Sequence, residues 1–286
     1  MAKLFSGERV VPTWLAALQA LRQSGGDDQN FLLEIADPLS MTTQDSEMIA
    51  CVDEALRTHS DISVKTVAAT IFPIAMYRRY GRPAFYTEFS KRMKRAKKEG
   101  TWGTYALRMI ERRGKKKNEV VNPLEQVIEK LVRATTGGQA FHDIYEMGVA
   151  EPSEDFDLNE ENYYGCELPT FDAARDGRKV SNMPCLSHLS FKLVDKERVD
   201  LTVMYRSHYY CQRALGNLIG LAQLLSFVAK ESQLKVGTLT CLSTHAHLDS
   251  SSWGKAAEFK AVVQTLEKVG ATAPSMVEKL VPPRKG

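Results

Sequence analysis

Apolar residues near the start of the chain, Trp14, Leu15, Ala17, Leu18 and Leu21, recur at helical spacing and stop before Gly25-Gly26, which predicts an amphipathic helix over 14–21. Residues 31–40 (FLLEIADPLS) predict a buried strand running into a proline-bounded turn. From 42 to 57, acids are set against Met48, Ile49, Val52 and Leu56, the pattern of a second helix. Asn122-Pro123-Leu124-Glu125 opens another, with Pro at the first helical position and Leu124, Val127, Ile128 and Leu131 on one face. In the second half, Val199, Leu201, Val203 and Tyr205 alternate with polar residues and predict a half-buried strand. Residues 214–232 are apolar almost all round, as a central buried helix requires. A Thr- and Val-rich strand over 235–247 and an amphipathic helix over 256–268 follow, and the tail VPPRKG is too polar to pack. Strand–helix–strand order without internal repeats or low-complexity linkers favours one mixed domain spanning 1–286.

Composition sets outer bounds. A chain of 286 residues, 43% hydrophobic and 26% charged, can bury roughly 75% of its unfolded surface and needs no disulfide staples. The opening MAKLFSGERVVP has no signal-like apolar stretch, and no run of about 18 apolar residues occurs, so neither secretion by that route nor membrane spanning is expected. The cysteines (Cys51, Cys166, Cys185, Cys211, Cys241) are scattered, odd in number and form no CxxC pair, which fits a reducing, cytoplasmic setting.

Charge is unevenly spread. Residues 78–117 hold 15 basic side chains against Glu88, Glu99 and Glu111, a net +12 that leaves −9 for the rest. Two readings stand: a solvated helix face followed by a loop, or a phosphate-attracting surface for nucleic acid, with Tyr80, Phe85, Tyr86 and Trp102 as stacking platforms. Residues 151–168, with seven acids and no Lys or Arg, read as a surface excursion or as a patch that docks on the basic window of a neighbouring subunit.

Four places carry candidate chemistry. Pro184-Cys185 leads into an apolar strand, where the thiol is either a covalent nucleophile activated by nearby positive charge or an inert buried group. His245-Ala246-His247 puts two imidazoles on one strand face, usable for a metal with Asp249 or for hydrogen bonding. Arg206-Ser207 ends a strand and suits an anion, or is an ordinary surface pair. Asn217 sits in the apolar helix, where a buried amide must find partners; its donor and acceptor suit a pyrimidine edge or a helix-packing bond.

Taken in order, Pro184-Cys185, Arg206-Ser207, Asn217 and His247 resemble the thymidylate synthase family. WLAALQAL, TWGTYALRM and NPLEQVIEKLV are similar to its opening helix, its Gly-Tyr segment and the helix before its arginine pair. The resemblance implies an α+β fold built on a large mixed β-sheet with packed helices, and a homodimer formed by packing sheet faces. It implies that Cys185 adds to C6 of a pyrimidine nucleotide, and that Arg206 and Ser207 hold the 5′-phosphate. Asn217 then orients the base and favours uracil over cytosine, and His247 meets the ribose. The carbon at C5 comes, in that family, from 5,10-methylenetetrahydrofolate.

The departures are as specific as the matches. Where the family's general acid/base Glu falls, the chain has Pro73 or Ile74, with no carboxylate between Asp61 and Glu88. Gly137-Gly138-Gln139 replace the arginine pair, with Arg133 out of register. Tyr209 replaces the folate-contacting Asp, Leu186 the His after the cysteine, Asp249 the Tyr of His-x-Tyr, and Pro-Pro-Arg-Lys-Gly the apolar tail. Three readings follow: a divergent C5-methyl- or hydroxymethyltransferase acting through Cys185, a catalytically silent nucleotide sensor or partner subunit, and a nucleic-acid-associated member gripping a polymer through 78–117.

Overall fold

The computed structural model describes residues 1–96, 104–114, 119–137, 145–147, 184–271 and 277–279. The chain divides into two compact units: Met1–Phe72 with Tyr205–Ser226 and Gly237–Gly286, and Pro73–Met204 with Phe227–Val236. The first unit opens with β1 (Lys3–Gly7), α1 (Val10–Gln23), β2 (Asp27–Ile35), β3 (Ser40–Thr42), α2 (Thr43–Ser60) and α3 (Val64–Ile71). Helix α1 starts a turn earlier than 14–21, because Val10 and Val11 join the buried stripe of Trp14, Leu18 and Leu21. Thr42 and Asp45 form a reciprocal capping box at α2, Thr42 Oγ1 accepting from Asp45 N at 3.2 Å and Asp45 Oδ2 from Thr42 N at 2.9 Å. Ser63 caps α3 through Thr66 N at 3.0 Å.

The second unit holds α4 (Ile74–Tyr80), α5 (Ala84–Ala96), α6 (Tyr105–Ile110), β4 (Arg112–Arg113), β5 (Val120–Val121), α7 (Pro123–Thr135), β6 (Glu146–Met147), β7 (Leu186–Val194) and β8 (Arg198–Tyr205). Helix α7 begins as expected, Asn122 Oδ1 accepting from Glu125 N at 3.1 Å with Pro123 at the first position. Strands β7 and β8 form a hairpin through Asp195 and Lys196, whose φ of 53° and 55° are the left-handed values that a tight two-residue hairpin turn demands. Inside this unit Tyr77, Phe85, Tyr86 and Phe227 pack with ring centroids 4.2–6.4 Å apart. Beside them Arg82 spans two carboxylates, Glu125 in a fork (Nε to Oε2 2.8 Å) and Glu231 at 3.4 Å, while Tyr86 donates to Glu125 at 2.7 Å.

That packing corrects part of the basic-window expectation. Phe85 and Tyr86 are core residues, not stacking platforms, being 0% and 9% exposed. Several described cations find local partners: Lys91 pairs with Glu88 at 3.1 Å, Lys94 with Glu111 at 2.7 Å, and Arg79 and Arg92 lie over Tyr80. The described part of the window is therefore not one solvated face: several of its cations pair locally, and Arg108 is buried at 3% exposure. Residues 97–103 (with Trp102), 115–118, the acidic stretch 151–168 and the tail 281–286 lie outside the described residues.

The chain returns to the first unit with β9 (His208–Tyr209), a wide π-type turn at Tyr210–Ala214, α8 (Leu215–Glu231), whose last turns belong to the second unit, β10 (Lys235–His247), a 3₁₀ turn at Ser250–Trp253, α9 (Ala256–Gly270) and β11 (Val277–Lys279). Strand β1 runs parallel to β2, β10 antiparallel to β2 and β9 parallel to β10, so the sheet is mixed and the chain is α+β, as expected. The register sets Leu239 opposite Ile35, Cys241 opposite Leu33 and Ser243 opposite Phe31, and all six are buried on the core face. The π-type turn is satisfied from outside. Its carbonyls at Tyr210 and Cys211 accept the indole N–H of Trp14 and Trp253 at 3.1 and 3.2 Å. No helix among the described residues is long and apolar enough to cross a membrane.

Helix α8 approaches α3 closely because Gly216 and Gly220 have no side chain. A Cβ at Gly216 would meet Val67 Cβ at 2.6 Å, and one at Gly220 would stand 2.6 Å from the Ala68 carbonyl oxygen. Gly220→Ala is expected to destabilise by about 1–3 kcal/mol despite the gain in helix propensity, since a backbone oxygen cannot step aside. Urea unfolding checks this, and an unchanged or higher midpoint would show that the helices part freely.

Candidate functional site

In the first unit, Asn217 lies in the opening turn of α8 and is 5% exposed. The apolar surroundings leave its amide one inward partner: Nδ2 is 3.1 Å from His208 Nε2. His208, which sequence reasoning missed, is 2% exposed, and its Nδ1 is 2.9 Å from Ser243 Oγ on β10. The imidazole stacks on Tyr205 with centroids 4.1 Å apart and planes at 4°. Burial holds it neutral, with a pKa lowered to about 3. The alternation ending at Tyr205 would have turned 207 and 209 inward; the bend at Arg206-Ser207 shifts the phase and turns His208 inward instead, so no local pattern announced it.

Arg206 and Ser207 form the half-buried bend between β8 and β9. The bend is held from β10, where Thr244 Oγ1 donates to the Arg206 carbonyl at 2.9 Å. These residues follow directly on Tyr205 and precede His208, so the candidate anion contact and the buried His208–Asn217 pair are neighbours in the chain.

His245 and His247 do share one face of β10, and both converge on Asp27 of β2 rather than on Asp249. His245 Nε2 and His247 Nδ1 lie 3.0 and 2.7 Å from the same oxygen, Asp27 Oδ1. Hydrogen bonding from His247 leads the causes that hold the Asp27 carboxyl below its usual value. Tyr209 packs edge-on against His247 at 5.4 Å. Asp249 is occupied elsewhere: it accepts the N–H groups of Cys211 and Gln212 at 2.9 and 3.0 Å and the Ser252 hydroxyl at 2.9 Å. The expectation that Asp249 could complete a metal set with the two histidines is thus corrected, the carboxylate being needed to cap the turn into α8. Among the described residues, no group of three His, Cys, Asp or Glu side chains is placed to hold a metal ion.

In the second unit, Cys185 stands half-buried just before β7, behind the buried Pro184. The backbone N–H groups of Cys185 and Leu186 donate to the Tyr105 hydroxyl oxygen at 3.1 and 3.3 Å. Tyr105 is the first residue of α6, capped by Thr104, so the TWGTYALRM segment supplies the group that fixes the cysteine's backbone. Further along β7, His188, Ser190 and Lys192 converge on Glu146 of β6, with Nε2 of His188 and Oγ of Ser190 at 2.9 and 2.8 Å. Burial pushes the Glu146 carboxyl up, but the bonds from Lys192, Ser190 and His188 outweigh it and leave it below the usual range. Of the other described cysteines, Cys51 on α2 is half-buried like Cys185, and burial pushes its thiol up. Cys211 and Cys241 are buried, and burial pushes both thiols up, Cys241 to about 12.

Comparison with known proteins comes from two directions. A putative thymidylate synthase of Methanococcoides burtonii is 38% identical over 88 residues, which is 31% of this chain and 38% of that protein. One from Methanosarcina acetivorans is 29% identical over 136 residues, 48% of this chain and 50% of that protein. The matched stretches span about a third to a half of the length of these curated relatives. No protein-family model matches the chain. Among solved structures, thymidylate synthase from T4 phage aligns over 92% of this chain and 82% of its own at 13% identity and a TM-score of 0.46. Thermostable thymidylate synthase A from Bacillus subtilis aligns over 93% and 85% at 10% identity and a TM-score of 0.48. Neither score reaches 0.5, so the architecture stands on its own elements. In sequence the chain is similar, over the matched stretches, to proteins named putative thymidylate synthase.

Proposed function

We propose, from this kinship, that the chain binds a pyrimidine nucleotide and activates its C5 by adding the Cys185 thiolate to C6, as a divergent thymidylate synthase-like C5-methyl- or hydroxymethyltransferase. The observation that supports it best is the setting of Cys185: it is half-buried with its backbone held by Tyr105, whereas Cys211 and Cys241 are sealed in the core and Cys51, half-buried as well, lies on α2 with its thiol pushed up by burial. In the proposed step the sulfur–C6 bond forms and the C5–C6 π electrons move to C5 and the O4 carbonyl. Carbon 5 then takes a proton or a one-carbon electrophile, loses its original hydrogen, and expels the thiolate. Arg206 and Ser207 hold the 5′-phosphate, Asn217 orients the base, and His247, its ring set by Asp27, meets the ribose. The active form in this reading is a homodimer.

The donor side fits less well. Where the resemblance calls for a folate-binding carboxylate, the chain has Tyr209, 45% exposed and edge-on to His247. A neutral phenol cannot supply the charge, so methylenetetrahydrofolate does not fit these residues and no step is routed through it. That observation, with Pro73 capping α4 and Ile74 beginning it where an acid/base carboxylate belongs, favours a second reading: a nucleotide-binding or partner subunit without turnover.

Tritium release from C5-labelled pyrimidines separates the two. The panel is uridylate, cytidylate, their deoxy forms and a short oligonucleotide, each with and without methylenetetrahydrofolate. Protein-dependent release from at least one nucleotide is expected, because exchange needs only the addition step. Tight binding without any release would establish the second reading.

A further inference from the structure

The buried surroundings of Asn217 bear on which base it accepts. Its Nδ2 donates to His208 Nε2 at 3.1 Å, so that ring nitrogen is the acceptor. A neutral imidazole then carries its hydrogen on Nδ1 and donates it to Ser243 Oγ at 2.9 Å. The ring is held in place by its stack on Tyr205 and by Tyr210 edge-on at 5.6 Å. Among the described residues no donor is paired with the Asn217 carbonyl oxygen, and this oxygen and the second amide hydrogen form the outward edge.

A second arrangement is self-consistent. Turning the amide over sets Oδ1 against His208, which requires the ring hydrogen on Nε2 and makes the Ser243 hydroxyl the donor to Nδ1. The two arrangements present donor and acceptor in opposite order. Uracil and cytosine differ in that same order: uracil has a carbonyl at C4 beside N3–H, and cytosine an amine at C4 beside a bare N3. For a base held in one pose by its phosphate and by C6, only one amide orientation makes both bonds to each.

We propose that the buried His208–Ser243 pair pins the Asn217 amide in the first of these orientations, with Nδ2 on His208 Nε2, and thereby makes the site select uracil over cytosine nucleotides. His208 and Ser243 are positioning residues, acting through Asn217, and the inference rests on the reading of Asn217 as the base contact.

The test uses the full chain. Ser243→Ala removes the Nδ1 partner, and His208→Phe removes both ring bonds while keeping an aromatic ring against Tyr205. Calorimetric titration with 2′-deoxyuridine 5′-phosphate and 2′-deoxycytidine 5′-phosphate gives the affinity ratio. Wild type is expected to favour the uracil nucleotide by about ten- to a hundredfold, and both variants to bring the ratio close to unity. Nitrogen-15 spectra of histidine-labelled wild type read the tautomer without any nucleotide, and Nδ1–H is expected for His208. An Nε2–H tautomer overturns the pin whatever the nucleotides do. Variants that keep the wild-type ratio overturn the pin alone and leave Asn217 as the base contact. A wild type that binds neither nucleotide overturns the base-contact reading, and the selection proposal with it.

Discussion

Cys185→Ala is expected to remove protein-dependent exchange of the C5 hydrogen, a fall of about 10⁴-fold or more by comparison with other deleted nucleophiles. The step needs a sulfur that forms a bond to C6 and later leaves, and alanine has no atom for either. Affinity for the nucleotide should change little, because phosphate, base and ribose are assigned to Arg206, Ser207, Asn217 and His247. The fold should hold as well. Cys185 is only half-buried, and Tyr105 grips the backbone N–H groups of residues 185 and 186, which the substitution leaves in place. Cys51→Ala, on α2, is the matched control and should leave exchange unchanged. Tritium release, with nucleotide titration and a denaturation midpoint for each variant, checks the set. Exchange that survives in Cys185→Ala would assign the addition to another nucleophile and sink the role given to this thiol.

What could be read from the sequence was whatever a local period controls. Strand β10 carries its alternation across Leu239, Cys241 and Ser243, and α7 announces itself with a side-chain cap, a proline and a regular apolar face. Strand β1 escaped because its residues alternate between exposed and half-buried, and none is buried deeply enough to imprint a pattern on KLFSG. The π-type turn before α8 escaped for another reason. It exists because Asp249 caps its N–H groups and two indoles take its carbonyls, and these partners come from distant points of the chain.

The site divides along the same line. Asn217 could be picked out, since an amide in an apolar helix demands a partner, but the partner could not be named. His208 lies nine residues away and Ser243 thirty-five from His208. The pairing of His245 and His247 on one face followed from their spacing, while their shared acid is set by the β2–β10 register, which places Asp27 opposite His247. Choosing Asp249 on sequence proximity therefore failed: a nearby acid had already been drawn into capping a helix.

The same buried imidazole that is proposed to orient Asn217 should also make the fold sensitive to acid. His208 falls from 6.5 to about 3 on folding, and the cause is desolvation. Between those values the unfolded chain binds a proton that the folded chain refuses. The stability at stake is fully present above pH 6.5 and is lost as pH falls towards about 3, at about 1.4 kcal/mol per pH unit. By pH 5 this one residue should have removed about 2 kcal/mol. The carboxyls held below their usual values, Asp27, Asp28, Glu111, Glu146 and Glu197, contribute in the same direction but only at lower pH, since their ordinary values are 3.8–4.5. Urea unfolding at pH 7.5, 6.0 and 5.0 should show wild type weakening over this window, whereas His208→Phe, less stable at pH 7.5 because Asn217 and Ser243 lose a buried partner, should weaken much less. Parallel slopes for the two proteins would mean that His208 takes up its proton in the folded state, and a ring that can charge there could not serve as a fixed acceptor for the Asn217 amide.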